Sequence, residues 1–217
     1  VLRQPPTADD NVLVLGGGII ALAVIAALRT LQIGCRVTAL VRYDYQARLA
    51  RQFGADEVIC SPPRESASRR YDRVARAVAG QALASLFGNQ AFVGGFDLTY
   101  ECVGTCGSLR DAMKFTRPRG TVVVLGTAHI GVVDVAPLWH KELHITGAYG
   151  RQLELHGGRR VHTYRIVFDW LRTARLPLAE LTVRKFDLRQ YRQALAELAS
   201  RRRSHLLKLA FRPPQPC

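Results

Sequence analysis

A glycine-rich turn between a predicted strand and a predicted helix is the feature that most constrains the fold. Residues Asn11 to Leu15 form a short apolar run that is typical of a buried strand, and residues Ile19 to Leu31 form an alanine-rich run that is typical of a helix packed on a sheet. The turn between them reads Gly16-x-Gly18-x-x-Ala21. Its small residues allow a tight bend, close approach of a pyrophosphate and close packing of the helix on the strand. The turn therefore predicts dinucleotide binding.

Glycine-rich turns between a strand and a helix also occur in two other contexts. A P-loop is excluded, because no Gly-Lys-Ser/Thr follows the glycines. A tight strand-to-helix turn in another doubly wound fold, with no bound ligand, stays open. The position of the turn favours dinucleotide binding, since the amides at the start of the helix face the place where an anion would lie.

Strands and helices alternate along the first two thirds of the chain, which predicts an α/β fold with a doubly wound parallel sheet of the Rossmann type. The further predicted strands are Arg36–Val41, Glu57–Cys60, Phe96–Val103, Thr121–Leu125 and Leu143–Gly147, and the further predicted helices are Gln46–Phe53, Tyr71–Leu86 and Ser108–Thr116.

The alternation ends in the last quarter of the chain, which predicts a short C-terminal appendage. Two helices, Val161–Thr173 and Leu188–Ser200, and a final strand, Leu206–Phe211, are expected there. We therefore divide the chain near Gly157-Gly158. Residues 1–10 are a connecting segment, residues 11–157 the dinucleotide-binding domain and residues 158–217 a C-terminal segment.

Composition and charge restrict the possible partners. The 217 residues are 48% hydrophobic and carry a formal net charge of +14, mostly from arginine. The arginine clusters are scattered and lie on no nucleic-acid-binding motif, so no nucleic-acid partner is predicted. The longest apolar stretch is about half the roughly 20 residues that a membrane span needs, so no membrane association is predicted. Five cysteines with irregular spacing favour a reducing compartment, and we expect a cytoplasmic protein.

The end of the second predicted strand bears on which dinucleotide binds. An NAD site usually places an acid there to bind the adenosine ribose. This strand instead ends Leu40-Val41-Arg42, and Arg42 can pair with a 2′-phosphate, with Arg48 one helical turn later. The sequence thus favours NADP. Asp44 could bend back to act as the acid, so NAD is the alternative.

Five segments, in order along residues 10 to 150, carry a family resemblance. They read VLVLGGGII from Val12, LARQFGADEVI from Leu49, FDLTYECVG from Phe96, RPRGTVVVLG from Arg117 and KELHITG from Lys141. Together they resemble the cofactor-binding half of the medium-chain, zinc-type alcohol dehydrogenases. The segment from Val183 to Leu188 also resembles the end of that family's chain.

The resemblance implies a function for the whole protein. It implies an oxidoreductase that transfers a hydride between nicotinamide and an alcohol or carbonyl substrate, with zinc on an N-terminal barrel domain. The chain begins with Val1 and its only methionine is Met113, so we expect that domain to be missing, and the C-terminal segment normally to pack on it. The chain alone is expected to be inactive, and it holds no predicted catalytic residue or metal ligand. The alternatives are a zinc-free quinone or enoyl reductase of the same superfamily and a non-catalytic nucleotide-sensing module.

The resemblance also implies which residues would contact the cofactor. Most lie at the carboxyl ends of the predicted strands, where open parallel sheets bind ligands. For the pyrophosphate these are Gly16, Gly18, Ile19 and Ile20; for the adenosine ribose, Arg42; and for the nicotinamide, Cys102, Val103, Leu125, Gly126, Thr127, Ala148 and Tyr149. It further implies a homodimer in which the strand Leu143–Gly147, expected at a sheet edge, pairs with its copy.

Overall fold

The computed structural model describes two compact units of the chain. The described residues are 1–84, 89–127, 130–150, 152–173, 176, 183–200 and 207–212. The first unit is Val1–Leu176 and the second is Pro177–Cys217. The assignment of residues 1–10, 11–157 and 158–217 to separate roles stays a prediction.

The first unit contains the predicted alternation of strands and helices. Its described strands are β1 (Asn11–Leu15), β2 (Arg36–Val41), β3 (Glu57–Cys60), β4 (Gln81–Ala84), β5 (Gln90–Val93), β6 (Phe96–Glu101), β7 (Thr116–Val124), β8 (His144–Gly147), β9 (Leu153–His156) and β10 (Arg159–His162). Its described helices are α1 (Ile19–Thr30), α2 (Asp44–Gln52), α3 (Ala67–Ala77), α4 (Cys106–Phe115), α5 (Ala136–His140) and α6 (Thr163–Arg172).

Six of these strands form one parallel sheet in the order β3-β2-β1-β6-β7-β8. The chain leaves β1 for β2 on one side and later returns to β6 on the other, so the strand order reverses beside β1. This reversal creates a crevice at the carboxyl ends of β1 and β6. The predicted doubly wound α/β fold is confirmed.

The core forms because the strands and the helix faces against them are apolar. Residues Val12 to Val14 of β1 are fully buried, and α1 buries seven of its twelve residues. In the core against one face of the sheet, Tyr71, Phe92 and Phe115 pack edge to face, with ring centroids 4.7 to 6.3 Å apart. The Tyr71 hydroxyl donates a 2.8 Å hydrogen bond to Asp111, which ties α3 to α4.

The predicted helix Tyr71–Leu86 is wrong in its second half. Helix α3 ends at Ala77, and β4 then pairs antiparallel with β5. The break has a local cause, because Ala79 has a φ of +48° and a side chain at Gly80 would lie 2.8 Å from the carbonyl oxygen of Val93. Leu86 lies outside the described residues.

The predicted helix Val161–Thr173 begins two residues late, because a hairpin precedes it. Strands β9 and β10 pair antiparallel, and Val161 lies opposite Glu154 within that pairing. Gly157 and Gly158 both have positive φ and form the turn of this hairpin. The glycine pair that marked a domain boundary in the sequence is therefore a hairpin turn.

The second unit contains β11 (Val183–Asp187), a short 3-10 helix (Leu188–Gln190), α7 (Tyr191–Ala199) and β12 (Lys208–Arg212). Strands β11 and β12 pair in parallel, and β11 was not recognised as a strand. The predicted helix Leu188–Ser200 is present as the 3-10 turn followed by α7. The predicted final strand is confirmed from residue 208, whereas Leu206 lies outside the described residues. Among the helices described in either unit, none has the length and apolar character of a membrane span.

Lys141 is a buried amine at the amino end of the sheet. Its Nζ atom donates hydrogen bonds of 2.5 and 2.7 Å to the carbonyl oxygens of Lys114 and Thr116, at the end of α4. Burial, reinforced by the positive charge of Lys114, lowers the pKa of Lys141 from 10.5 to about 8. A neutral amine still has two N–H groups, which is the number that these two carbonyls accept.

This pKa predicts a pH-dependent stability. Between about pH 8 and 10.5 the unfolded chain holds a proton on Lys141 that the folded chain has lost, so the free energy of unfolding should rise with pH across this window. The rise should be smaller in Lys141→Met, which cannot titrate. Urea unfolding of both proteins at several pH values across the window measures the difference, and parallel pH profiles would contradict the lowered pKa.

Candidate functional site

The first glycine of the turn is fixed by its backbone conformation and by close contact with the end of β6. Gly16 is buried, has a φ of +127° and donates its N–H to the carbonyl of Leu40 at 2.9 Å. A Cβ atom at this position would lie 3.2 Å from Val103 Cγ2 and 3.4 Å from Cys102 Cβ. Only glycine adopts this φ freely, so Gly16 is required for β1 to turn next to the end of β6.

The second glycine of the turn faces open space. Gly18 is exposed, has an ordinary φ of −87° and precedes the first residue of α1. A Cβ atom on Gly18 would have no neighbour within 4 Å. The first amides of a helix have no intrahelical partner, and the first turn of α1 carries no acidic side chain. The turn thus leaves room for an anion in front of Ile19 and the half-exposed Ile20.

Gln46 occupies the space between the glycine turn and the end of β2. Its Oε1 atom accepts the backbone N–H groups of Arg42 and Tyr43 at 3.1 and 3.2 Å. A Cβ atom on Gly17 would lie 2.7 Å from Gln46 Cδ. The sequence analysis did not identify Gln46; its position in the first turn of the helix that follows β2 is the signal that points to it.

Two charged residues, Arg42 and Asp44, lie near the end of β2. Arg42 is exposed and follows the last residue of β2. The carboxylate of Asp44 instead accepts a 3.4 Å hydrogen bond from the thiol of Cys60, at the end of β3. Burial, with the hydrogen bond to Asp44 as the second cause, raises the pKa of Cys60 to about 11. The structure thus places the Asp44 carboxylate against β3.

The loops that follow β6 and β7 pack backbone against backbone. Gly104 has a φ of +87°, and a Cβ atom there would lie 2.5 Å from the carbonyl oxygen of Thr127. A Cβ atom on Gly126 would overlap the amide nitrogen of Gly104. Four of the predicted nicotinamide contacts are therefore neighbours in space: Val103, Leu125, Gly126 and Thr127.

Cys102 joins this loop pair to β1. Its backbone N–H donates to the carbonyl of Leu15 at 2.9 Å. Burial raises the pKa of its thiol well above the usual range. The group is a neutral thiol near neutral pH, and its Sγ atom lies 3.7 Å from the carbonyl oxygen of Tyr100, to which it donates.

An apolar cavity of about 220 Å³ lies at the carboxyl end of the sheet. Four predicted contact residues line it: Ile20, Leu125, Ala148 and Tyr149. Helix α6 supplies Thr163, Ile166, Val167 and Trp170 to another wall, and residues 1–3 also border it. The sequence analysis missed α6 as part of this wall, because the apolar residues of a helix look the same whether they face a core or a cavity.

The predicted site residues therefore lie along the carboxyl edge of the sheet, spread from the end of β2 to the loops after β6, β7 and β8. Gly18, Ile19 and Ile20 surround the start of α1, and Arg42 lies beyond the end of β2, on the far side of β1 from β6. The loop residues and the cavity lie on the β6 and β7 side. In open α/β sheets a dinucleotide lies across the carboxyl ends of the strands with its pyrophosphate at the N-terminus of the first helix, and the predicted residues follow that order.

In the parts of the chain that the structure describes, no group of three or more His, Cys, Asp or Glu side chains is placed to hold a metal ion. The described residues therefore do not fit a zinc site, and no metal-dependent step is assigned to them. His129 and His205 lie outside the described residues.

The family model and the curated relatives that match this chain are all dehydrogenases. A family model described as zinc-binding dehydrogenase matches residues 20–172. A sorbitol dehydrogenase of Arabidopsis thaliana is 23% identical over 94% of this chain and 50% of its own length. An L-idonate 5-dehydrogenase of Vitis vinifera is 25% identical over 94% of this chain and 50% of its own length. The chain thus spans about half the length of these curated relatives.

Solved structures share the fold. An acetophenone reductase of Geotrichum candidum in complex with NAD aligns with a TM-score of 0.65 at 19% identity, over 96% of this chain and 50% of that one. A zinc-binding dehydrogenase of Sinorhizobium meliloti bound to NADP aligns with a TM-score of 0.62 at 22% identity, over 88% of this chain and 49% of that one. At these identities the likeness concerns the fold.

The two glycines of the turn should respond differently to substitution. Gly16→Ala should lower the free energy of unfolding by about 1–3 kcal/mol, because its φ of +127° is strained for alanine. Gly18→Ala should leave it within about 0.5 kcal/mol of the wild type, because its φ is ordinary and the space is open. Urea unfolding measures both. Equal losses would show that the two positions are not packed as described.

Proposed function

Because the chain belongs to the zinc-binding dehydrogenase family, we propose that it is the nicotinamide-dinucleotide-binding portion of an alcohol dehydrogenase-like oxidoreductase. The whole protein would transfer a hydride between nicotinamide and an alcohol or carbonyl substrate. One observation carries this proposal. The open N-terminus of α1 and the apolar cavity lie along the same carboxyl edge of a doubly wound sheet and share Ile20.

The proposal assigns each part of the cofactor to a part of this edge. The pyrophosphate would bind the amides of Ile19 and Ile20 in front of Gly18, where the helix dipole also favours negative charge. The nicotinamide ring would enter the cavity, whose lining is largely apolar. The loops after β6 and β7 would then contact the ring through Val103, Gly126 and Thr127. The zinc site that the resemblance places in an N-terminal domain stays a prediction.

We further propose that NADP is preferred to NAD. Two features of the β2 end support this preference. The Asp44 carboxylate is hydrogen-bonded toward β3, and the side chain that packs on the glycine turn is the neutral amide of Gln46. Gln46 carries no charge to repel a 2′-phosphate, the hydrogen bond to Cys60 holds the Asp44 carboxylate toward β3, and the exposed Arg42 guanidinium is available to form a charge-assisted pair with the phosphate.

Calorimetric titration with NADPH and NADH tests this preference. The wild type should bind NADPH more tightly, and Arg42→Ala should weaken NADPH binding at least about tenfold, since a hydrogen bond between charged partners contributes about 1.5–3 kcal/mol. NADH binding should change little. Arg51→Ala is the matched control, because Arg51 is also exposed but lies at the opposite end of α2. Equal affinities for the two cofactors, or tighter NADH binding, would contradict the proposal.

We also propose that the protein forms a homodimer through β8 in the cytoplasm. Strand β8 is an edge of the described six-stranded sheet, so its outer backbone groups, apart from the Gly147 carbonyl that accepts a hydrogen bond from Arg3, can pair with a second copy. The segment before it exposes large apolar side chains, with Val132 97% and Trp139 84% exposed. A cytoplasmic location rests on the irregular cysteine pattern alone.

Sedimentation velocity tests the dimer. The wild-type chain should sediment as a dimer, and Thr146→Lys should shift it toward monomer, because lysine on an edge strand opposes strand pairing. Leu155→Lys is the control, since Leu155 is an exposed residue of β9, outside the main sheet. A wild-type chain that is monomeric at high concentration, or equal effects of the two substitutions on the sedimentation coefficient, would contradict the proposed dimer.

A further inference from the structure

Glu101 is a fully buried acid at the carboxyl end of β6. None of its surface is exposed, although it is the last residue of a strand that faces the candidate site. Its Oε1 atom accepts the backbone N–H groups of Val103 and Gly104 at 2.8 and 2.9 Å. The Glu101 carboxylate therefore holds the loop after β6 close to the end of the strand.

The backbone carbonyl of the same residue holds the neighbouring loop. It accepts the N–H groups of Leu125 and Gly126 at 2.8 and 2.9 Å, immediately after β7. Glu101 thus accepts hydrogen bonds from four backbone amides, two in each loop. Because Gly104 and Gly126 pack directly on each other, moving either loop would move the other.

These hydrogen bonds account for Oε1 of Glu101 but not for the burial of its second carboxylate oxygen, Oε2. Oε2 is buried, and among the described residues it has no hydrogen-bond partner. A buried oxygen without a donor is unfavourable, and an apolar side chain of similar volume would avoid it. What distinguishes Glu101 from such a side chain is the Oε1 acceptor that sets the loop geometry.

We propose that Glu101 is a positioning residue for the nicotinamide half of the cofactor. This inference rests on the proposed function. The two loops that Glu101 holds carry Val103, Leu125, Gly126 and Thr127, all of them expected to contact the nicotinamide. Four of the expected pyrophosphate and adenosine contacts, Gly18, Ile19, Ile20 and Arg42, lie at the start of α1 and beyond the end of β2, which Glu101 does not hold. The fifth, Gly16, packs on Val103 but is also fixed by its own hydrogen bond to Leu40. Loss of the Oε1 acceptor should therefore weaken binding of the ring and spare the rest of the dinucleotide.

The experiment compares two ligands and two substitutions in the 217-residue chain. NADPH is compared by calorimetry with 2′-phospho-ADP-ribose, which lacks only the nicotinamide. Glu101→Met removes the acceptor at similar volume, and Glu101→Gln retains an acceptor and removes the charge. We expect Glu101→Met to bind NADPH about tenfold or more weakly and 2′-phospho-ADP-ribose within about twofold of the wild type. Glu101→Gln should bind both ligands within about threefold of the wild type, because it retains the oxygen acceptor. Such a result would show that the acceptor, and not the charge, positions the loop.

The outcomes separate this inference from the function on which it rests. If the wild type binds neither ligand, the proposed function is wrong. If the wild type binds both ligands and a folded Glu101→Met loses them equally, or loses neither, the positioning role is wrong. Should Glu101→Met not fold, Glu101→Asp replaces it, because its shorter side chain withdraws the acceptor from Val103 and Gly104. The same selective loss of NADPH then supports the inference, and parallel changes overturn it.

Discussion

Close contact between backbone turns at the carboxyl edge of the sheet is the constraint on which the rest of the site depends. Gly16 packs against Cys102 and Val103, and Gly104 packs against Thr127 and Gly126. Three loops, after β1, β6 and β7, are thereby held as one surface. Larger side chains at these glycines would separate the loops, because the atoms that they would meet belong largely to the backbone.

This packing divides the site into parts with different physical tasks. At Gly16 and Gly104, positive φ values and short distances show that glycine serves the fold. At Gly18, the ordinary φ and the empty surroundings show that the fold does not require glycine. The pyrophosphate that we propose in front of α1 would supply the missing reason, because a side chain there would project toward it. The distinction comes from local geometry and not from the motif.

The sequence predicted the features that local chemistry determines. Strands β1, β2 and β3 have the predicted bounds, because an apolar run ended by a glycine or by polar residues specifies a buried strand. The strand pairs β4–β5 and β9–β10 were missed, because their burial is incomplete and because they depend on positive φ at Ala79, between α3 and β4, and at Gly157 and Gly158, in the β9–β10 turn. Glu101 and Gln46 were missed for a different reason, since their partners are backbone amides, which a hydrophobic pattern does not show; for Gln46 the available signal is its position in the first turn of the helix after β2.

The central claim is that this edge of the sheet binds a nicotinamide dinucleotide, with its pyrophosphate at the start of α1. The most direct measurement is a titration of the ¹⁵N-labelled chain with NADPH, followed by amide chemical shifts. The largest changes should occur at Gly18, Ile19, Ile20 and Gly126, while the hairpin turn at Gly157 and Gly158 should not respond. Changes centred on that hairpin, or no saturable change at the α1 amides, would contradict the claim.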